Sequence, residues 1–139
     1  MKLDFIEKDM KGRTTNRNLV TVVDDDAAMR ESTCWLIRSF GFEADAFASA
    51  QEFLASPERN RTACLILDVR MPGMSGVELQ QKLKRENAEI PIIFITAYAN
   101  NDEEREANAG GAVAFLRKPI KDEILLSAIR TALDQNQSH

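Results

Sequence analysis

"LILDVRMPGMSG", residues 65–76, runs three apolar residues straight into an aspartate and follows it with Pro72, Gly73 and Gly76. A short apolar run bounded by turn residues reads as a buried strand. Asp68 then stands at the carboxyl end of that strand, and the proline and glycines permit a sharp turn behind it. What the carboxylate serves depends on what the rest of the chain brings beside it.

Four more short runs bracket this one. "LVTVV" (19–23), "EADAF" (43–47), "IPIIFI" (90–95) and "AVAFL" (112–116) join "ACLIL" (63–67) as expected strands. Helices are expected between them. Met29, Leu36, Ile37 and Phe40 share one helical face, and Gly41 ends that helix. Ser49 with Glu52, and Ser75 with Glu78, have capping-box spacing. The first pair opens a short helix closed by Pro57, and the second opens one reaching about Glu86. "NDEEREANAG" (101–110) reads as a polar, soft helix, and an amphipathic helix runs from Lys121 to the end. Five strands alternating with five helices argue for a doubly wound parallel sheet with helices on both faces. Residues 1–18 are polar and without clear period, an extension expected to be loose, with a short helical turn at "LDFIEKDM" (3–10).

Composition removes several classes of function. The 139 residues suit one domain, and 44% hydrophobic content supports a real core. A net charge of −4 offers no basic field for nucleic acid or an anionic membrane. No apolar run approaches the roughly 20 residues that span a bilayer, and the N-terminus lacks the apolar core of a signal peptide. Cys34 and Cys64 form no CxxC pair and read as reduced, packed thiols of a cytoplasmic protein. The single histidine is His139, the last residue, which argues against a Ser-His-Asp triad and against a histidine-based zinc site. Neither GxxxxGK[ST] nor GxGxxG occurs. Chemistry must rest on carboxylates, hydroxyls and lysine.

Those groups fall in one place. Asp24, Asp25 and Asp26 follow the first strand, Asp68 the third and Thr96 the fourth, while Lys118 lies two residues past the last. Doubly wound sheets bind ligands outside the carboxyl ends of their strands. Each residue alone has a plain structural reading. Asp26 can cap the following helix, Asp68 can belong to the turn, Thr96 can merely end a strand, and Lys118 can be a solvated lysine before Pro119. Together they set acids, a hydroxyl and an amine along one edge. Crowded carboxylates repel unless a cation joins them, and a hard divalent ion such as Mg²⁺ takes oxygen ligands. Phosphoryl transfer onto a carboxylate uses this set: an aspartate as nucleophile, a metal to spread charge, lysine and threonine to hold oxygens.

Four stretches, "VTVVDDDAAMR", "LILDVRMPGMSGVEL", "IPIIFITAY" and "GGAVAFLRKPI", resemble the receiver domain of two-component response regulators, over about residues 19–134. The intervals agree: 43 residues from Asp25 to Asp68, 28 to Thr96 and 22 to Lys118. "DVRMPGMSGVEL" looks most like receivers of helix-turn-helix transcriptional regulators. The resemblance implies a flavodoxin-like three-layer sandwich with strand order 2-1-3-4-5. It makes Asp68 the phosphoacceptor, Asp25 a direct Mg²⁺ ligand, Asp24 a ligand through water, and the Arg70 backbone carbonyl a further ligand. Thr96 resembles the switch hydroxyl, Phe115 the switch aromatic, Lys118 the phosphate-binding lysine, and Ala97 the small residue that leaves room for the phosphoryl group. A cis Lys118–Pro119 bond is expected. Gly110 stands where the family usually has alanine, and Ala114 where an acid is common.

The implied partners are a sensor histidine kinase or phosphotransfer protein and, on phosphorylation, a second copy of the chain. The implied catalysis is limited to the chain's own phosphorylation and autodephosphorylation. A haloacid-dehalogenase-type phosphatase also follows a strand with aspartate, but needs a second acid two residues on, where this chain has Arg70. A receiver-like module that is never phosphorylated could spare several members of the set. Residues 135–139 read as a tail, and no DNA-binding segment is recognised in the chain. A single-domain regulator or phosphorelay shuttle, and the receiver piece of a longer transcription factor, both remain open.

Overall fold

The computed structural model describes residues 6–8, 14–16, 19–98 and 100–137. Two three-residue strands, β1 (Ile6–Lys8) and β2 (Thr14–Asn16), pair antiparallel in a sheet of their own. This corrects the expected helical turn over 3–10: its described part, Ile6–Lys8, is extended. A lone helical turn fixes several dihedrals for one hydrogen bond, whereas Thr14 and Thr15 suit a paired strand.

The main sheet holds β3 (Leu19–Val23), β4 (Glu43–Phe47), β5 (Cys64–Asp68), β6 (Ile92–Thr96) and β7 (Ala114–Arg117), all parallel, in the order β4-β3-β5-β6-β7. Counted from β3, this is the expected 2-1-3-4-5. β3 and β6 are buried along their whole length, as continuous β-branched and aliphatic runs in a two-sided parallel sheet should be. Thr21, buried inside β3, pairs its hydroxyl with that of Thr62 at 2.7 Å.

The helices are α1 (Ala27–Ser39), α2 (Ala50–Ala55), α3 (Gly76–Arg85), α4 (Asn101–Ala109) and α5 (Asp122–Gln137). Pro57 closes α2 by opening a 3-10 turn, Pro57–Arg61. Ser75 and Glu78 form the full capping box of α3. Ser49 caps α2, but Glu52 reaches the N–H of Ala48 instead. Asn100 and Glu103 build a second full box at α4, unrecognised in the sequence because asparagine replaces the usual hydroxyl residue.

Buried side chains form two clusters, one per face of the sheet. Cys34 and Ile37 of α1 join Leu125, Ile129, Ala132 and Leu133 of α5 on one face. Phe53 of α2, Val77, Leu79 and Leu83 of α3, and Ala107 of α4 fill the other. Burial of each large aliphatic side chain contributes about 1.5–3 kcal/mol. The parallel register then fixes the edge that matters. Val23 lies opposite Leu67, Asp68 opposite Ile95, and Thr96 opposite Arg117, so Asp24, Asp68, Thr96 and Lys118 emerge side by side.

Candidate functional site

Three adjacent acids leave β3 with three different duties. Asp26 is the helix cap: its Oδ1 accepts from the N–H groups of Ala28 and Met29 at 3.0 and 3.2 Å. The structural reading therefore suffices for Asp26. Asp24 turns inward; its Oδ1 accepts from the Asp26 N–H at 2.9 Å, and the Arg30 guanidinium pins its backbone carbonyl at 2.8 Å. Asp25 is exposed. Asp68, ending β5, completes the group. Carboxylate oxygens of Asp24, Asp25 and Asp68 lie within 4.8 Å of one another.

Lys118 enters from the far end of the chain. Its Nζ lies 3.4 Å from Asp24 Oδ2 and 4.0 Å from Asp68 Oδ2, and its side chain is 15% exposed. The Lys118 N–H donates to the Thr96 carbonyl at 2.9 Å, which docks this loop against β6. The Lys118–Pro119 bond is cis, as expected. One ammonium cannot neutralise three carboxylates. Burial first, and then the Asp24 carboxylate, push Asp68 up to about 6, against the opposing pull of Lys118 and the Arg70 N–H. Hard oxygen donors with surplus negative charge fit a small divalent cation such as Mg²⁺.

The remaining expected residues surround this cluster without joining it. The Arg70 N–H donates to Asp68 Oδ1 at 3.3 Å, while the guanidinium crosses to Glu103 Oε1 of α4 at 3.1 Å. Thr96 is buried, and its hydroxyl donates to the Tyr98 carbonyl at 2.6 Å and accepts from the Tyr98 N–H at 3.2 Å. Ala97 and Tyr98 are exposed beside it. Phe115 is half-buried, with its ring centroid 5.9 Å from that of Phe94. The Arg117 guanidinium lies 5.8 Å from the Phe115 centroid and pairs with Glu104 at 2.7 Å.

Two contributors escaped the sequence reading. Glu103 ties Arg70 to the α4 cap, and its spacing from Asn100 was the available signal. Gly76 is the other. A Cβ there would stand 2.2 Å from the Asp68 carbonyl oxygen, so only glycine lets α3 start so close behind the acid. The first turn of a helix has no conformational need for glycine, which marks this one as a close approach.

Comparison with known proteins agrees with this geometry. The family model described as the response regulator receiver domain matches residues 20–130. Nodulation protein W of Bradyrhizobium diazoefficiens is 46% identical over 123 residues, covering 88% of this chain and 54% of that protein. Transcriptional regulatory protein FixJ of the same species is 39% identical over 121 residues, covering 87% and 59%. A receiver domain protein (CheY-like) of Methanospirillum hungatei superposes with a TM-score of 0.80 at 30% identity, covering 87% of this chain and 97% of that one. The chain spans about half the length of the curated relatives it matches. Strand order, acid cluster and family match converge: this chain belongs to the response regulator receiver domains of two-component signalling.

Proposed function

We propose that Asp68 is the phosphoacceptor and that Asp24, Asp25, Thr96 and Lys118 serve its phosphorylation. The observation that carries this is the three-carboxylate cluster with a single ammonium 3.4 and 4.0 Å from two of its members. An Asp68 carboxylate oxygen attacks the phosphorus of a phosphohistidine on a sensor kinase or phosphotransfer protein. The P–N bond breaks, the imidazole leaves with the electron pair, and an acyl phosphate forms. Lys118 balances the negative charge gathering on the transferred oxygens. When bound by Asp24, Asp25, Asp68 and the Arg70 carbonyl, Mg²⁺ supplies further charge neutralisation. Water later attacks the same phosphorus, releasing inorganic phosphate and restoring the carboxylate. Arg70 stands where a phosphatase would need an acid, which supports catalysis on the chain's own aspartate rather than turnover on outside esters.

The output follows from the layout of the other residues. Once Asp68 carries phosphate, Thr96 exchanges its bond to Tyr98 for one to a phosphoryl oxygen, and Phe115 moves inward. The face of α4, β7 and α5 changes shape and binds a second copy of the chain. The greater length of the relatives, one of them named a transcriptional regulatory protein, supports a role as the receiver part of a transcription factor. We place the chain in the cytoplasm. Support comes from the buried free thiols of Cys34 and Cys64, and no described helix is long and apolar enough to cross a membrane.

The test is labelling by acetyl phosphate, read by intact mass. Wild type should gain one phosphoryl group only when Mg²⁺ is present, and Asp68→Asn should gain none. Labelling of the variant at the wild-type rate overturns the assignment. Steady release of p-nitrophenol from p-nitrophenyl phosphate would instead favour the phosphatase reading.

A further inference from the structure

Two adjacent glycines close α4, and they are glycine for different reasons. Gly111 has φ +92 and open space where a Cβ would stand, so its freedom serves the turn. Gly110 has φ −81, a value any residue adopts. Alanine there would favour the helix, but its Cβ would stand 2.7 Å from Cδ and Oε1 and 2.8 Å from Nε2 of Gln80. Glycine at 110 therefore leaves room for a side chain of α3.

That side chain is 4% exposed and reaches across to the last turns of α4, where its Nε2 donates to the Ala107 carbonyl at 3.0 Å. Ala107 is also the buried side chain of α4, at 0% exposure. Its carboxyl-terminal half is thus held by packing and by a hydrogen bond shielded from water. Its amino-terminal half is held differently. Glu103 and Glu104 pair with Arg70 and Arg117, whose side chains are 55% and 51% exposed, and solvent weakens such pairs. Gln80 Oε1 has no protein partner. Gln80 also borders a cavity of about 500 Å³ between α3, residues 87–91 and Gly110–Gly111.

We propose that Gln80 is a positioning residue for the switch: it latches the carboxyl-terminal end of α4, so that the helix pivots about Ala107 while its first turn makes the excursion. The pivot rests on the phosphoacceptor reading of Asp68; the latch does not. Breaking the latch leaves the Gln80 amide N–H without its acceptor in a buried place, while the Ala107 carbonyl keeps only the Ala112 N–H at 3.1 Å, and this opposes motion there. Breaking the two exposed ion pairs returns their charges to water at little cost. Motion is thereby directed to the end of α4 that borders Arg70 and the Thr96 loop.

The latch is tested without phosphate, on the full chain, by amide exchange in Gln80→Ala, Gly110→Ala and the double variant. Gly110→Ala should speed exchange of residues 107–111 at least tenfold in wild type, yet leave it unchanged or slower in the Gln80→Ala background. The same effect in both backgrounds overturns the latch. If Gly110→Ala does not fold, Gln80→Met decides, since it keeps length and loses the donor. Exchange at 107–111 should then rise tenfold, and an unchanged rate overturns the latch. The pivot is tested by saturation with beryllofluoride. Wild type should change protection at 101–104 and hold it at 107–111, and Gln80→Met should extend the change to 107–111. A uniform change along α4 in wild type overturns the pivot. Phosphate uptake by wild type, measured in parallel, judges the phosphoacceptor reading separately.

Discussion

The hydroxyl of Thr96 is bonded twice to one residue, donating to the carbonyl of Tyr98 and accepting from its N–H. In this resting arrangement the hydroxyl is committed to its own loop. Engagement with a phosphoryl group on Asp68 must break the short bond to the carbonyl, which frees residues 97 and 98 as the hydroxyl leaves. Thr96→Ala removes the link while keeping Asp24, Asp25, Asp68 and Lys118. The variant should still take phosphate from acetyl phosphate, within about threefold of wild type, a barrier change under about 1 kcal/mol. Light scattering with beryllofluoride should show most of the mass increase lost. A full response from the variant would mean that Phe115 and α4 are driven by something else.

The lifetime of the acyl phosphate is set by what lies around it. Arg70 is held across the site by Glu103, and Tyr98 is 74% exposed at its rim. Both are bulky enough to hinder an attacking water. The Arg70→Ala, Tyr98→Ala double variant should lose phosphate about three- to tenfold faster, roughly 1 kcal/mol of barrier. The measurement is decay of the phosphorylated mass after removal of acetyl phosphate. Slower loss in the double variant contradicts the hindrance.

Burial of Asp68, together with the Asp24 charge beside it, has a consequence for folding. The folded chain holds this acid up to about 6, against about 3.9 for a free aspartate. Between those values the folded state binds more protons than the unfolded one, so stability falls as pH rises through the window. The penalty is absent below about pH 4 and complete above about pH 6. Asp68→Asn removes the charge. Metal-free variant should exceed wild type in stability at about pH 7.5 by about 1–2 kcal/mol, allowing for partial solvent screening, and match it near pH 4. Urea titrations at both pH values check this, and an equal gain at both would assign the effect to packing.

Gly76 offers a test of a different kind. Alanine would drive its Cβ against the Asp68 carbonyl oxygen, and the nearby Val69 backbone blocks retreat. Gly76→Ala should destabilise by about 1–3 kcal/mol or more, the range for overpacking, and should slow labelling of Asp68 by displacing the strand end. Wild-type stability together with wild-type labelling would refute the close approach.

The fold was legible because its strands announce themselves. "LVTVV" and "IIFI" are continuous β-branched and aliphatic runs, and "LIL" halts at a carboxylate, so counting residues placed the acids, hydroxyl and amine on one edge. Asp26 showed its capping role by position. What stayed hidden depends on partners distant in sequence. Nothing near Gln80 says that it will reach Ala107, and nothing near Gly110 says that Gln80 occupies its side-chain space. Arg70 gave no sign of Glu103. The β1–β2 pair was missed for another reason: three-residue strands carry too little pattern to outweigh a weak helical reading.

The bond between Lys118 and Asp24 joins residues 94 positions apart. Synthesis joins Asp24, Asp25 and Asp68 to the chain before Lys118 exists. A released fragment that ends within β6 would therefore hold the crowded carboxylates without the Lys118 ammonium and without the edge strand β7. Such a fragment should be a poor substrate for any phosphodonor. Competence to receive a phosphoryl group is thus expected only of a chain long enough to bring the last strand and Lys118 to the sheet.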